Sequence, residues 1–237
     1  MEPRIMMLRI AAAALFCLPL VAHAAGTAKL AGLDDRGRPF SASVEYAGDN
    51  LRAASPQSPN GYLLARGEKI YAVTRVNGQQ VVMEAADLMR MAGSLMPSPT
   101  AALEQVSAIV SLQPTSRRET VAGLGGTVYV LTYEDGQRRR RTEELVLTSE
   151  PAASELTAAA LKLGRSLAAL AGTLLPAGAD DLARRLQNDR LGLLRFGDRF
   201  RVEALDDRAP QASRFELPGG SFQIPDLRGL VPGLGGR

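Results

Sequence analysis

The first half of the chain alternates apolar and polar residues at period two between short breaks, a pattern that predicts antiparallel strands. Residues 40–46 alternate, Ala47-Gly48-Asp49-Asn50 turns the chain, residues 51–55 continue, and Ser58-Pro59-Asn60-Gly61 interrupts them. Strands are expected next at 62–65, 69–75 and 80–84, joined by Arg66-Gly67-Glu68 and by Asn77-Gly78. Asn-Gly is a strong hairpin signal, because both residues tolerate the positive φ of a type I′ turn. Residues 106–115 fit a strand or a helix equally well. Residues 127–133 and 138–148 form a further hairpin about Asp135-Gly136.

Between these strands the period changes. Over 86–96 the apolar residues Leu88, Met89, Met91, Ala92, Leu95 and Met96 fall within about 160° of a helical wheel, which predicts an amphipathic helix. Pro97 and Pro99 end it in a loop. Longer helices are expected at 151–171, opened by Ser149 and Pro151, and at 180–188 beyond Pro176-Ala177-Gly178. Strands return at 191–196, 199–205 and 213–217, and from Pro218 the composition shifts to Gly and Pro, so that 219–237 reads as a poorly ordered tail. Hairpins on both sides of a helical block, with no βαβ alternation, indicate an α+β fold in one domain over 25–218.

The start of the chain reads as a secretory signal peptide. Arg4 and Arg9 charge it, residues 10–22 are apolar, and Ala22-His23-Ala24 places small residues at both cleavage-determining positions. The apolar run is well short of the ~20 residues that span a bilayer. An acylated Cys17 needs a small residue before it, and Phe16 is bulky. Cleavage after Ala24 leaves no transmembrane segment, and the abundance of Ala and Arg over Lys points to a GC-rich bacterium and hence to the periplasm.

Composition then excludes whole classes of chemistry. The one histidine, His23, and the one cysteine, Cys17, both lie in the leader, and tryptophan is absent. A chain cut after Ala24 has no imidazole and no thiol. Ser-His-Asp and Cys-His catalysis and Cys/His zinc sites go together, as do disulfides. Residues 1–24 carry two of the 28 basic and one of the 25 acidic residues, so the remainder stands at 26 to 24, a net +2. Such a balance does not describe a nucleic-acid-binding surface.

Some residue runs carry a family resemblance. Residues 119–129 (Glu-Thr-Val-Ala-Gly-Leu-Gly-Gly-Thr-Val-Tyr), Asp135-Gly136-Gln137, Glu144-Leu145-Val146-Leu147-Thr148 and Phe215-Glu216-Leu217-Pro218 resemble a bacterial periplasmic domain-of-unknown-function family. Its plan is similar to that of the lipoprotein carriers LolA and LolB, over roughly 40–218. The resemblance implies a curved antiparallel sheet, or half-barrel, with helices on its concave face around an apolar cavity for acyl chains. No position matches a carrier's functional arginine or tryptophan loop, so no functional residue transfers.

The remaining candidates are weighed one by one. Gly123-Leu124-Gly125-Gly126 precedes strand formers rather than a helix, so it is a strand-entry turn and not a phosphate loop. The adjacent acidic pairs Asp34-Asp35, Glu143-Glu144, Asp180-Asp181 and Asp206-Asp207 diverge on a strand or helix and make no acid/base dyad. Met89-Arg90-Met91 places two sulfurs about 200° apart on a helix, which rules out a shared metal ion. Arg138, Arg139, Arg140 and Arg141 form the one charge run, an edge-blunting device or a site for an anionic lipid headgroup. The expectation is a non-catalytic periplasmic protein without cofactor or metal. It binds a hydrophobic or lipid-like ligand under a lid carrying Leu88, Met89, Met91, Leu95 and Met96. The alternative is an envelope protein-interaction module of the same fold without a cavity.

Overall fold

The computed structural model describes residues 25–34, 37–87, 105–219 and 222–223. The leader 1–24 and residues 88–96 of the expected lid helix lie outside them. Six strands come first: β1 (Ala25–Leu33), β2 (Pro39–Ala47), β3 (Asn50–Ala54), β4 (Gly61–Arg66), β5 (Lys69–Val76) and β6 (Gln79–Glu84). Residues 85–87 then begin a helix. After 105 come β7 (Ala108–Val121), β8 (Leu124–Glu134), β9 (Arg140–Thr148), α1 (Pro151–Leu170), α2 (Ala177–Asn188), β10 (Gly192–Phe196) and β11 (Phe200–Asp206). A 3-10 turn (Ala212–Phe215) and the two-residue β12 (Phe222–Gln223) follow.

All these strands join one open sheet in the order β12-β6-β5-β4-β3-β2-β1-β11-β10-β9-β8-β7. Eleven of them are antiparallel to their neighbours, and only β12 runs parallel, along β6. Two meanders, β1–β6 and β7–β11, are therefore zipped together where β1 meets β11. The expected hairpins form: Asn77 and Gly78 both take positive φ between Val76 and Gln79, and Ala122 and Gly123 do the same between Val121 and Leu124. The glycine run at 123–126 is the strand-entry turn its sequence predicts.

Three expectations need correction. Sequence patterning misses β1, because its Ala and Gly residues have poor strand propensity, yet this strand is central. The expected strand at 213–217 is instead the 3-10 turn, closed by Arg214 N–H on Gln211 O and by the Arg214 guanidinium on Glu45. Inside the expected tail, Phe222 and Gln223 pair with Val81 and Val82 of β6.

The helices take their place by packing rather than by caps. Pro151 sits in the first turn of α1, and neither Ser149 nor any other side chain caps it. Ala153, Leu156, Leu163 and Leu167 of α1 enter a cluster with Ala28 and Leu30 of β1, Val44 and Tyr46 of β2, and Leu51 of β3. The Thr157 hydroxyl ties the helix to the sheet, donating to Ala153 O and accepting Leu193 N–H, both at 2.8 Å. At Gly192 the helix lies so close that a Cβ would collide with Ala153. Ala179, Leu182, Ala183 and Leu186 of α2 pack with Leu131 and Tyr133 of β8 and with Leu145 and Leu147 of β9.

Both faces of the sheet are covered in places. Leu145, Val146 and Leu147 are consecutive and all buried, and on a strand they point alternately to opposite faces. The same holds for Leu64 and Ala65 on β4.

Candidate functional site

The arginine run occupies the β8–β9 connection, and its four residues differ in their partners. Asp135 accepts backbone N–H groups from Gln137 and Arg139 and the Nε groups of Arg139 and Arg141, at 2.9 to 3.2 Å. This ring of donors, the Arg139 backbone first among them, holds the Asp135 carboxyl far below the usual carboxylate range. Arg138 adopts a left-handed φ of 59°, and Arg140 opens β9; both are exposed and lack a carboxylate partner among the described residues. A buried aspartate organises two of them, and two are left for solvent. The signal for this was the Asp placed four and six residues before Arg139 and Arg141.

Of the candidate lid residues, Leu88, Met89, Met91, Leu95 and Met96 all lie outside the described residues. Of that segment only Ala86 and Asp87 are described; Ala85, just before it, is fully buried in the same cluster as α1. The chain leaving β6 thus turns into a helix on the face of the sheet that carries α1.

That face is tightly filled where α1 sits. Tyr46, buried in β2, donates its hydroxyl to Ala152 O at 2.8 Å. Burial, with the nearby charges of Glu155 and Asp207, pushes its pKa up to about 12. Along α1, the space between Ala159, Lys162 and Leu163 and the strands below is a slot of about 20 Å³, too small for any ligand but a water. Lys162 closes its outer end on Asp49 at 2.6 Å.

A charged lattice, which sequence reasoning missed, lies on the face opposite α2. Glu144 and Val146 share that face of β9, and Arg195 of β10 pairs directly with Val146. From β7, two strands away across β8, Arg117 reaches Glu144 at 2.7 and 3.1 Å, and Glu119 holds Arg195 at 2.8 and 3.0 Å. Between Pro114 and Arg118 the β7 register slips against β8, which lets the far half of the strand bend back over its neighbours. No local sequence signal joins residues 76 positions apart.

A further cavity lies on the face of β2–β6 turned away from α1. Ser43, Ala54, Tyr62 and Val73 are successive cross-strand partners on that face. With the overhanging β3–β4 connection they bound an open cleft of about 470 Å³. Its lining is half polar in character, with hydroxyls, amides and two arginines, Arg52 and Arg75, and no carboxylate. Among the described residues no group of His, Cys, Asp and Glu is arranged to hold a metal ion, and no helix is long and apolar enough to cross a membrane. No family model matches the chain, and no curated protein matches it in sequence.

Proposed function

We propose that this is an exported, non-catalytic binding module of the bacterial envelope that works through its outer surfaces. One observation carries the reading: among the described residues, the apolar face of the sheet under α1 is filled by side chains, with a slot of about 20 Å³ where a carrier needs several hundred. The absence of histidine and cysteine after the leader supports the non-catalytic part. We read the sheet as curved, with α1 and α2 on its concave side. Open sheets beyond about ten strands curl, and α1 touches strands as far apart as β3 and β10.

A carrier with an apolar chamber, the plan shared with LolA and LolB, is the second reading, and Ala85 favours it. That residue, just before the expected lid, is buried in the cluster that holds α1. Organic extraction of protein purified from periplasm, followed by mass spectrometry, separates the two readings. Stoichiometric lipid in the extract overturns the surface-binding module. A lipid-free extract, together with no uptake of a fluorescent hydrophobic probe, overturns the carrier.

A further inference from the structure

The cleft on β2–β6 holds an immobilised guanidinium with donors to spare. The Arg52 guanidinium carbon sits over the Tyr62 ring at 4.0 Å from its centroid, and its Nη1 donates to Glu45 at 2.9 Å. The cation–π contact and the ion pair together restrain the guanidinium, so a ligand meets it with little further loss of side-chain freedom. The group is largely buried, with its side chain 18% exposed, yet Nε and Nη2 have no acceptor among the described residues.

Charge on this surface is one-sided. Glu45 is already engaged by Arg52 and, through both its oxygens, by Arg214 at 2.9 and 3.0 Å. One carboxylate thus faces two guanidiniums. Arg75 adds a third positive charge on the rim, directly opposite Gln80 on β6. The lip above is braced by its own hydrogen bonds: Ser55 Oγ donates to Ser41 O, and Arg75 N–H donates to Asn60 O. These are conditions for recognising an oxyanion, which takes parallel N–H bonds from a planar guanidinium.

The rest of the wall narrows the ligand class. Ser43 and Gln80 on the strands and Ser58 in the lip are among the residues lining the space, so a polyhydroxylated body finds partners there. A flat aromatic base does not, because Arg52 already covers the face of Tyr62. We propose that this cleft binds a small polyhydroxylated anion, a sugar bearing a carboxylate or a phosphate, with Arg52 and Arg75 on the charged group. The site is on the opposite face from α1, so it stands or falls independently of the surface-module and carrier readings.

Titration of the ¹⁵N-labelled protein with glucuronic acid, glucose 6-phosphate, glucose and inorganic phosphate tests it. Both anionic sugars are expected to shift the backbone signals of Ser43, Tyr62 and Thr74, and to bind at least tenfold more tightly than glucose or inorganic phosphate. Arg52→Gln and Arg75→Gln should each weaken them about ten- to a hundredfold, the range for a lost charge-assisted hydrogen bond. Preference for only one of the two sugars identifies carboxylate or phosphate as the natural group. Arg75 is exposed, so its variant reports on binding even where Arg52→Gln does not fold. No shifts at ~10 mM ligand, equal binding of glucose, equal binding of inorganic phosphate, or binding unchanged in Arg75→Gln overturns the proposal.

Discussion

Glu119 on β7 and Arg195 on β10 form a two-point ion pair, carboxylate to guanidinium, with two intervening strands between them in the sheet. Arg195 also lies 3.5 Å from Glu144, which Arg117 of β7 holds from the other side. Opposite charges thus alternate along Arg117, Glu144, Arg195 and Glu119, and the bent half of β7 is fastened to β9 and β10.

Glu119→Gln is expected to cost ~1 to 3 kcal/mol, since it leaves a mostly buried guanidinium with half its partners. Urea unfolding of Glu119→Gln, Arg195→Gln and the double variant measures the coupling. Strict additivity would show that the lattice does not hold the hairpin down.

Tyr46 should make the fold sensitive to alkali. Its hydroxyl is neutral up to about pH 12 in the folded protein but ionises near 10 once unfolded. A group with a raised folded pKa contributes fully below the unfolded value, and its contribution is lost as pH rises from about 10 through 12. Tyr46→Phe should therefore lose stability at pH 7, where the bond to Ala152 is gone, and show a shallower further decline between pH 10 and 12. Thermal melts across that range check the slope.

On the acid side the sign reverses. Asp206 is held down at about 2 by the Arg208 side chain and backbone, and Arg117 above all lowers Glu144. Depressed carboxylates contribute above their unfolded pKa, and that contribution disappears as pH falls from about 4 to 2. Asp206→Asn should flatten the acid limb of the stability curve. An acid midpoint unchanged from wild type would remove Asp206 from the account.

Within the β8–β9 connection, Asp135→Asn should lower the melting temperature more than Arg138→Gln or Arg140→Gln, which are expected to be silent within ~0.5 kcal/mol. Arg139→Gln and Arg141→Gln should fall between these extremes, because each removes one of several donors to Asp135. If Arg138 and Arg140 serve an anionic headgroup, their loss weakens binding to anionic vesicles in a salt-sensitive way. Vesicles that fail to bind the wild type dispose of the headgroup role.

Leu156→Ala, in the seat of α1, should cost ~2 to 5 kcal/mol as a filled core demands. Met91→Ala distinguishes the carrier reading: a lid residue should lose hydrophobic-probe binding with little loss of stability. A full core-sized loss with probe binding unchanged leaves the lid without support.

Much of the strand register was legible because turn chemistry is local. Asn77-Gly78 and Gly123 mark hairpins by their own backbone freedom. Cleavage after Ala24 is equally local as an expectation, and intact-mass analysis checks whether the protein begins at Ala25. Features that depend on distant partners left no trace in the pattern. β1 is poor in strand-forming residues and is held by pairing on both sides. Nothing in the sequence around Arg52 places Tyr62 beneath it. The arginine run stood out for its composition, although the residue that organises it is the single Asp135 just before it.

The pairing of β1 with β11 also sets an order of events in time. β1 finds one of its two partners, β2, at once, but its other edge stays open until Asp206 has been made, with Ala28 waiting for Leu205. Contacts of such long sequence separation form slowly. The two meanders of the sheet therefore join only after β11 has been made, so the complete sheet closes late in the life of the nascent chain.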